Sequence, residues 1–373
     1  MKVLLAASLY PPETRGPATF AGQLVEHLQA KKVTVAVVPY REVRGLPPVV
    51  RHVVYFFKLL RQGKISVIVA LDPISVGLPV LVASLLLGAR FVLRIGGDYA
   101  WEQGVARYGV ADTLDEFAAA DKERYPPAVR LLWFLQCFVA RRAFAVVVPS
   151  EYLKSIVVRW GVAKRRVVVI RSASSALIHS LSRREIRARV GWRDEPVIFS
   201  VGALVPWKGF KGLLDAVANI RDAFPGLRLV VVGGGPQKSE LESYASERGF
   251  DPGAVFFGEM PQTVMRELMS AADVFALNTG YEGLSHALIE AMQVGLPIVT
   301  TPAGGNAELF KHGKTALLVP HNDTEALAGA LRELLEDRRR AAALGAAART
   351  AAEVYSPERS MAEWEKLLRQ RKK

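Results

Sequence analysis

The stretch from Asp273 to Glu308 constrains the fold of this chain more than any other. Val274 to Leu277 is short and apolar, as a buried strand is. A polar turn with two glycines follows it, and the apolar residues then recur at helical spacing. Gly295 and Pro297 are typical of a helix end, and Ile298 to Thr300 is typical of a further strand. The stretch therefore predicts a βαβ unit with a glycine turn at the start of its helix.

The residues of that turn indicate a ligand. The first N–H groups of a helix lack backbone partners and carry partial positive charge, which suits a phosphate, and Gly283 would let the backbone approach it closely. Glu282 lies in the turn, and Glu290 lies about 12 Å further along the helix axis. Carboxylates accept hydrogen bonds from hydroxyls. A sugar on one side of a phosphate and a ribose on the other would use both, so the pattern predicts a nucleotide-sugar site; a plain βαβ unit with two solvated glutamates is the alternative.

The same stretch resembles the donor-site motif of family 4 glycosyltransferases, of the glycosyl transferases group 1 type. The resemblance rests on these residues: Glu282, Glu290, Ala291-Met292, Gly295-Leu296-Pro297, Gly304-Gly305 and Glu308. Members of this family are retaining enzymes of the GT-B fold. The resemblance therefore implies an α/β chain of two facing Rossmann-like domains, with a C-terminal helix that crosses back to the first. The implied domains are an N-terminal acceptor-binding domain over 1–175, a nucleotide-sugar-binding domain over 176–354, and the final helix over 355–373.

The resemblance assigns several residues to the diphosphate of the donor. Lys208, followed by Gly209, matches a lysine that neutralises the leaving diphosphate, and Gly16 lies in a loop that faces it. Backbone N–H groups at the start of the predicted helix would bind the same group; they belong to Gly283, Leu284 and Ser285. These donors would stabilise the negative charge that develops on the leaving group.

Other residues are assigned to the sugar, the ribose and the base. By resemblance, Glu282 would bind sugar hydroxyls and support positive charge at the anomeric carbon, Glu290 would bind the ribose, and Met260 would line the base pocket. Asp98 follows a predicted strand, where the family often has a histidine, and we expect it to contact the donor or acceptor sugar. A helix cap or turn aspartate is the alternative for Asp98.

Three positions depart from the family pattern. Ala203 stands where the family has a second diphosphate-binding cation, an arginine. Pro17 replaces the second glycine of the opening loop, and the segment from Arg171 to Ser175 replaces a Pro-Asn-Gly turn between the domains. The missing arginine leaves open a donor-binding protein of weak activity.

The leading hypothesis is a retaining glycosyltransferase that moves a sugar from a nucleotide-diphosphate sugar to a glycan, lipid-linked or small-molecule acceptor. By resemblance, the leaving diphosphate would deprotonate the acceptor on the same face of the sugar. A nucleotide-sugar epimerase and a phosphorylase on the same fold are the alternatives, because fold alone does not give function.

Composition narrows the setting in which the protein works. Half of the 373 residues are apolar, which is ample for buried cores. The single cysteine, Cys137, excludes an internal disulfide framework and fits a reducing, cytoplasmic compartment. The sequence contains no convincing metal-ligand pattern, so we expect neither a metal nor another cofactor besides the nucleotide-sugar co-substrate.

The net charge of +13 indicates negatively charged partners. The basic clusters are dispersed and lack interleaved aromatic residues, so nucleic acid is not expected. Peripheral contact with an anionic membrane surface is the functional interpretation, and a solvated surface is the alternative. The apolar run from Ile74 to Gly88 is too short to span a bilayer and predicts a buried helix. The charged segment from Glu102 to Arg130 predicts an irregular insertion.

Overall fold

The structure is a computed structural model that describes residues 1–13, 16–174 and 181–370. Two compact units divide the chain: Met1–Ser172 together with Pro357–Lys373 forms unit 1, and Ala173–Ser356 forms unit 2. Of the segment expected to form the altered hinge, Ser175 lies outside the described residues.

Unit 1 is built on a parallel sheet whose described strands run in the order β2-β1-β3-β4-β5-β6. The strands are β1 Lys2–Ala7, β2 Thr34–Pro39, β3 Val67–Ala70, β4 Arg90–Arg94, β5 Ala145–Val148 and β6 Val167–Val169. β3 and β5 are apolar and buried along their whole length, as expected for a parallel sheet covered on both faces. The helices between them are α1 Gly16–Ala30, α2 Pro48–Leu60, α3 Gly77–Leu86, α4 Tyr99–Arg107, α5 Leu114–Ala119, α6 Pro127–Arg142 and α7 Glu151–Arg159.

The expectation of an irregular segment from Glu102 to Arg130 is wrong. This part of the chain forms most of α4, all of α5 and the start of α6. A capping box starts α5, in which Thr113 and Glu116 each accept a hydrogen bond from the other's backbone N–H. Phe117 is fully buried, and its ring centroid lies 4.7 Å from that of Tyr125. Local caps and one aromatic pair thus give the charged segment a fixed structure.

Unit 2 repeats the plan with a second parallel sheet, in the order β12-β11-β10-β7-β8-β9 for the described strands. The strands are β7 Val197–Val201, β8 Arg228–Val232, β9 Phe256–Gly258, β10 Val274–Leu277, β11 Ile298–Thr300 and β12 Leu317–Leu318. The helices are α8 Arg183–Arg189, α9 Phe210–Ile220, α10 Lys238–Glu247, α11 Pro252–Val255, α12 Gln262–Ser270, α13 His286–Val294, α14 Thr324–Glu336 and α15 Arg338–Ala351. One apolar cluster lies under α9 and α14, and a second lies under α12 and α13. The sheet is therefore covered on both faces.

The βαβ unit predicted from the sequence is present as β10, α13 and β11. Ser285 caps α13, and Gly295 ends it in the left-handed conformation, with φ of 83°. Short 3-10 helices lie between the main elements at Tyr40–Glu42, Lys122–Arg124, Lys164–Arg166, Pro206–Lys208, Arg221–Ala223, Gly304–Glu308 and Ala352–Tyr355.

The last helix, α16 Pro357–Arg369, belongs to unit 1, as predicted. It packs beside α1, where the ring centroids of Trp364 and Phe20 are 5.4 Å apart. Met361, Trp364, Leu367 and Leu368 are buried in the same apolar cluster as β1 and α1. The chain therefore completes the core of its first unit with its last helix.

Candidate functional site

The turn after β10 is fixed by buried polar side chains that the sequence analysis did not single out. Thr279 is fully buried, and its hydroxyl lies 2.9 Å from the carbonyl oxygen of Tyr281. The hydroxyl of Thr301, also buried, donates to the carbonyl oxygen of Thr279. Thr300 donates in the same way to Leu277, over 2.8 Å. These bonds tie the end of β10 to the end of β11 and hold the glycine turn in one conformation.

The loop that carries Lys208 is bound to this turn. Gly280 N–H donates to the carbonyl oxygen of Trp207 over 2.7 Å, and the Asn278 side chain donates to the carbonyl oxygen of Gly209 over 3.1 Å. Gly209 has φ of 61°, and a Cβ at this position would lie 2.0 Å from the Asn278 carbonyl oxygen. Only glycine fits there, so the two loops approach each other closely and set the position of Lys208.

Lys208 and Glu282 form an ion pair between Nζ and Oε1. Both side chains are mostly buried, at 14% and 12% exposure. The backbone of Glu282 is held in turn, because its carbonyl oxygen accepts a hydrogen bond from Gly305 N–H over 2.8 Å. Two residues to which the sequence assigned catalytic roles, 74 positions apart, thus lie together beside the start of α13. An anion bound there would compete with Glu282 for the Lys208 ammonium.

The glycine triplet after β8 supports the same loop from its other side. A Cβ on Gly233 would lie 2.0 Å from the carbonyl oxygen of Gly202, and one on Gly235 would lie 2.4 Å from that of Leu204. Leu204 N–H donates to the carbonyl oxygen of Gly234 over 3.0 Å. The triplet therefore serves close backbone packing. Ala203, where the family has an arginine, is exposed on this loop.

The start of α13 uses its side chains for structure. Ser285 is buried and accepts a hydrogen bond from Leu288 N–H, which makes it the N-cap. The side chain of Leu284 lies in the apolar cluster under α12 and α13, and Gly283 is buried. The binding of a diphosphate by the backbone N–H groups of these three residues stays a prediction.

Glu290 is enclosed by partners that the sequence analysis missed. Its Oε1 lies 2.8 Å from Arg266 Nη2 and accepts hydrogen bonds from Ser174 Oγ, at 3.1 Å, and from Gln262 Nε2. Both members of the ion pair with Arg266 are buried, with 8% and 3% of their side chains exposed. The sequence alone could have indicated this partner, because Arg266 follows Met265 on the buried side of α12 and a buried charge needs a partner.

Asp98 is fully buried in unit 1 and caps α4. Its Oδ1 accepts hydrogen bonds from Trp101 N–H, at 3.0 Å, and from the Gln136 side chain, at 2.9 Å. Burial raises the pKa of the Asp98 carboxyl, and these hydrogen bonds offset part of the rise. The structure therefore places this carboxylate in a helix cap, the alternative to the expected sugar contact.

The two remaining candidates lie at element ends. Met260 follows β9 and is half-buried against the apolar cluster under α12 and α13. Gly16 is the first residue of α1 and is half-buried in unit 1. Their expected roles toward a base and a diphosphate stay predictions.

The described residues contain neither a metal cluster nor a helix that could span a membrane. Across 1–13, 16–174 and 181–370, no three His, Cys, Asp or Glu side chains are grouped so that they could hold a metal ion. In the same residues, no helix combines the length and the apolar character that crossing a bilayer requires.

Comparison with family models settles the family. The model for the glycosyl transferase 4-like domain matches residues 11–173, and the model for glycosyl transferases group 1 matches residues 182–351. The chain belongs to the group 1 glycosyltransferase family. One model thus matches unit 1 and the other matches unit 2, which confirms the resemblance inferred from the motif at Glu282 and Glu290.

Among curated relatives, the group 1 protein is similar to the GDP-mannose-dependent alpha-(1-6)-phosphatidylinositol monomannoside mannosyltransferase of Mycolicibacterium smegmatis. The two are 36% identical over 175 residues, which cover 45% of this chain and 46% of the relative. The match thus spans less than half of the relative's length.

Solved structures resemble the whole group 1 chain. Sucrose-phosphate synthase from Thermosynechococcus elongatus has a TM-score of 0.81 at 21% identity, covering 99% of this chain and 98% of that one. HepE from Anabaena, solved in complex with UDP, has a TM-score of 0.75 at 18% identity and covers 99% of both chains. These similarities show the fold, which is the predicted α/β fold of the GT-B type.

Proposed function

We propose that this protein is a retaining glycosyltransferase that moves a sugar from a nucleotide-diphosphate sugar to an acceptor hydroxyl. The observation that carries the proposal is the pairing of Lys208 with Glu282 at the start of α13. A cation and helix N–H groups at one point suit a diphosphate, and a neighbouring carboxylate suits the hydroxyls of the attached sugar. The relatives are named glycosyltransferases, so the epimerase and phosphorylase alternatives are not favoured.

In the proposed reaction, the bond between the anomeric carbon and the diphosphate oxygen breaks, and a bond to the acceptor oxygen forms on the same face of the sugar. The acceptor proton passes to the leaving diphosphate. Lys208 would move from Glu282 to that diphosphate, with the N–H groups from Gly283 to Ser285 as further donors. Glu282, released from the lysine, would bind sugar hydroxyls and support positive charge at the anomeric carbon. The family pattern adds Gly16 as a further diphosphate contact.

Glu290 would bind the ribose of the donor. Oε1 of Glu290 is already bound by Arg266, so the ribose hydroxyls would share or replace contacts that the side chain makes now. Met260 would line the base pocket next to it. No metal enters this proposal, because Lys208 and the helix N-terminus supply positive charge at the diphosphate.

The acceptor in this proposal is a glycan, a lipid-linked or a small-molecule hydroxyl, reached in the cytoplasm or at an anionic membrane surface. Support for a lipid-linked acceptor comes from the relative that acts on a phosphatidylinositol mannoside. Support for a reducing compartment comes from the single cysteine.

The first test replaces Glu282 by glutamine. Glu282→Gln keeps the shape of the side chain but removes its charge, and we expect transfer to fall at least about 10²-fold. Transfer is measured as donor consumption that depends on an acceptor, over panels of donors and acceptors. Glu247→Gln, on the exposed face of α10, is the matched control and should leave the rate unchanged. Near-normal transfer by Glu282→Gln would contradict the proposed site.

Donor binding is tested separately by thermal stabilisation with UDP-, GDP-, ADP- and CMP-sugars, since a ligand of the folded state raises the melting temperature. Glu290→Gln is the suitable variant for the ribose contact. Glu290→Ala would leave the buried charge of Arg266 without its carboxylate and would itself destabilise the unit. We expect one nucleotide to raise the melting temperature of the wild type and to do so less in Glu290→Gln. A melting temperature unmoved by the whole panel would contradict the donor site.

A further inference from the structure

Unit 1 exposes apolar side chains on three helices, α2, α3 and α6. Of the fifteen large hydrophobic side chains that are exposed among the described residues, nine lie on these helices. Their exposure is high, at 77% for Val49 and 74% for Leu85. The nine are Val49, Val50, Val53 and Phe57 on α2, Val82, Leu85 and Leu86 on α3, and Leu131 and Phe134 on α6.

The three helices lie side by side on one face of the sheet. β2, β3, β4 and β5 follow one another in a single direction across the sheet, so right-handed crossovers place α2, α3 and α6 on the same side. α3 contacts both α2 and α6 and lies between them. The opposite side is covered by α1 and α16. The nine side chains therefore form one solvent-facing surface, called here the α2–α3–α6 face.

This surface differs from that of an ordinary amphipathic helix layer. Val82, Leu85 and Leu86 occupy the exposed positions of α3, where a surface helix usually carries charged or polar residues. α3 contains no charged residue at all, and the prediction that the run from Ile74 to Gly88 is buried is wrong for these three positions. Single exposed apolar residues are common, but apolar side chains grouped on neighbouring helices indicate a binding surface.

The charged residues on the three helices of the α2–α3–α6 face are all basic, although Lys58 on α2 pairs with Glu42, which precedes α2, over 2.6 Å. The three helices carry five basic residues and no acidic one; the five are Arg51, Lys58, Arg130, Arg141 and Arg142. Unit 1 as a whole also has more basic than acidic residues. Unit 1 has 30 Lys and Arg against 15 Asp and Glu, and unit 2 has 19 against 21, so the net charges of +15 and −2 add up to the +13 of the chain.

We propose that the α2–α3–α6 face binds an anionic membrane surface, with its apolar side chains inserted among the acyl chains and its basic residues at the phosphate headgroups. Apolar residues next to basic ones, without acidic residues, suit an interface of this kind. A protein partner of mixed charge would not explain the absence of acidic residues. The inference rests on the proposed function only in that a bilayer would also present a lipid-linked acceptor.

The test measures binding of the full-length protein to vesicles by co-sedimentation, without any sugar donor. One set of vesicles is phosphatidylcholine, and the other is phosphatidylcholine mixed with phosphatidylglycerol. The triple variant Val53→Ser, Leu85→Ser and Phe134→Ser removes one exposed apolar side chain from each helix. The matched control, Phe257→Ser, Val264→Ser and Val354→Ser, removes three exposed apolar side chains of unit 2. All six positions are exposed, so both proteins should keep the wild-type melting temperature.

We expect the wild type and the control to bind the anionic vesicles and the face variant to bind them at least about tenfold more weakly. A second variant, Arg51→Gln with Arg130→Gln, should bind more weakly and depend less on salt. Absence of wild-type binding to both kinds of vesicle would overturn the inference, as would equal losses in the face variant and the control. A wild-type dimer that the face variant turns into a monomer, without vesicle binding, would assign the face to contact between copies of the chain.

The two proposals fail separately. Vesicle binding that persists in a protein without transfer activity would leave the membrane face standing and would count against the proposed reaction. Transfer to a water-soluble acceptor by a protein that binds no vesicles would support the proposed reaction and would overturn the membrane face.

Discussion

Asp98 is a residue whose burial decides between two roles. It lies at a strand end, where ligands of open α/β sheets bind, yet its carboxylate is fully buried and accepts hydrogen bonds from Trp101 and Gln136. A carboxylate in this position stabilises the start of α4 and satisfies the buried Gln136 amide. Its contribution should therefore appear in the stability of unit 1.

We expect Asp98→Ala to lower the free energy of unfolding by about 1–3 kcal/mol, because the cap is lost and two donors lose their acceptor. Asp98→Ser is the matched control, since a serine hydroxyl can still cap the helix, and it should lose less. Chemical denaturation of both variants measures the difference. If Asp98 instead contacts a sugar, both variants should lose transfer activity while their stability stays unchanged. That outcome would support the expected contact of Asp98 with the donor or acceptor sugar.

The pKa of Asp98 gives a second, independent prediction. Burial raises the pKa of this carboxyl in the folded state above its ordinary value of 3.8. The protonated form is thus favoured by folding, so its contribution to stability is full below pH 3.8 and is lost as the pH rises through the folded pKa. We expect the stability of the wild type relative to Asp98→Ser to fall from acid to neutral pH. If the difference in free energy of unfolding between the wild type and Asp98→Ser did not change with pH, the raised pKa of Asp98 would be contradicted.

Among the elements, the loop from Pro206 to Gly209 shows how a backbone contact positions a reactive side chain. Gly209 has a positive φ and lies so close to Asn278 that no Cβ fits. This loop and the turn before α13 are held together by that contact, and their side chains Lys208 and Glu282 form an ion pair. Displacement of this loop should therefore affect both folding and the candidate site.

We expect Gly209→Ala to cost at least about 2 kcal/mol of stability and to reduce transfer as well, because the loop must move away from Asn278. Gly191→Ala is the matched control, since Gly191 has φ of 72° but a Cβ added there would have no neighbouring atom within 4 Å. Gly191→Ala should lower the free energy of unfolding by only about 1–2 kcal/mol, the cost of a Cβ in the left-handed conformation, and should leave transfer unchanged. Thermal unfolding and initial rates measure both effects. Equal losses in the two variants would show that the contact with Asn278 is unimportant.

At the scale of elements, the sequence allowed β10, α13 and β11 to be predicted closely, because each has a clear period and a marked end. The segment from Glu102 to Arg130 was misjudged, since its charges hid the capping box at Thr113 and the buried ring of Phe117. Lys208 and Glu282 were selected by resemblance, but their ion pair depends on the close contact at Gly209. Glu290 was selected without Arg266, because their pairing arises only when α12 and α13 pack together.

At the scale of the whole molecule, residues at opposite ends of the chain build one core. His27 Nε2 lies 3.1 Å from Glu365 Oε2, and the Ser360 hydroxyl donates to the carbonyl oxygen of Arg171 over 2.9 Å. Trp364 is almost completely buried beside Phe20. α1 and β1 are therefore covered by a helix that follows them by more than 300 residues, as the separation of 338 positions between His27 and Glu365 shows.

We expect Trp364→Ala to lower the free energy of unfolding by about 3–5 kcal/mol, because the substitution removes a buried aromatic side chain and leaves a cavity next to Phe20. The loss should appear in unit 1, as faster amide hydrogen exchange in β1 and α1. Trp192→Ala is the matched control: Trp192 is equally a buried tryptophan, but it lies in the apolar cluster of unit 2 with α8, so exchange should increase there instead. If Trp364→Ala left the protection of β1 and α1 unchanged, α16 would cover their core without stabilising it, and the buried contact with Phe20 would be energetically minor.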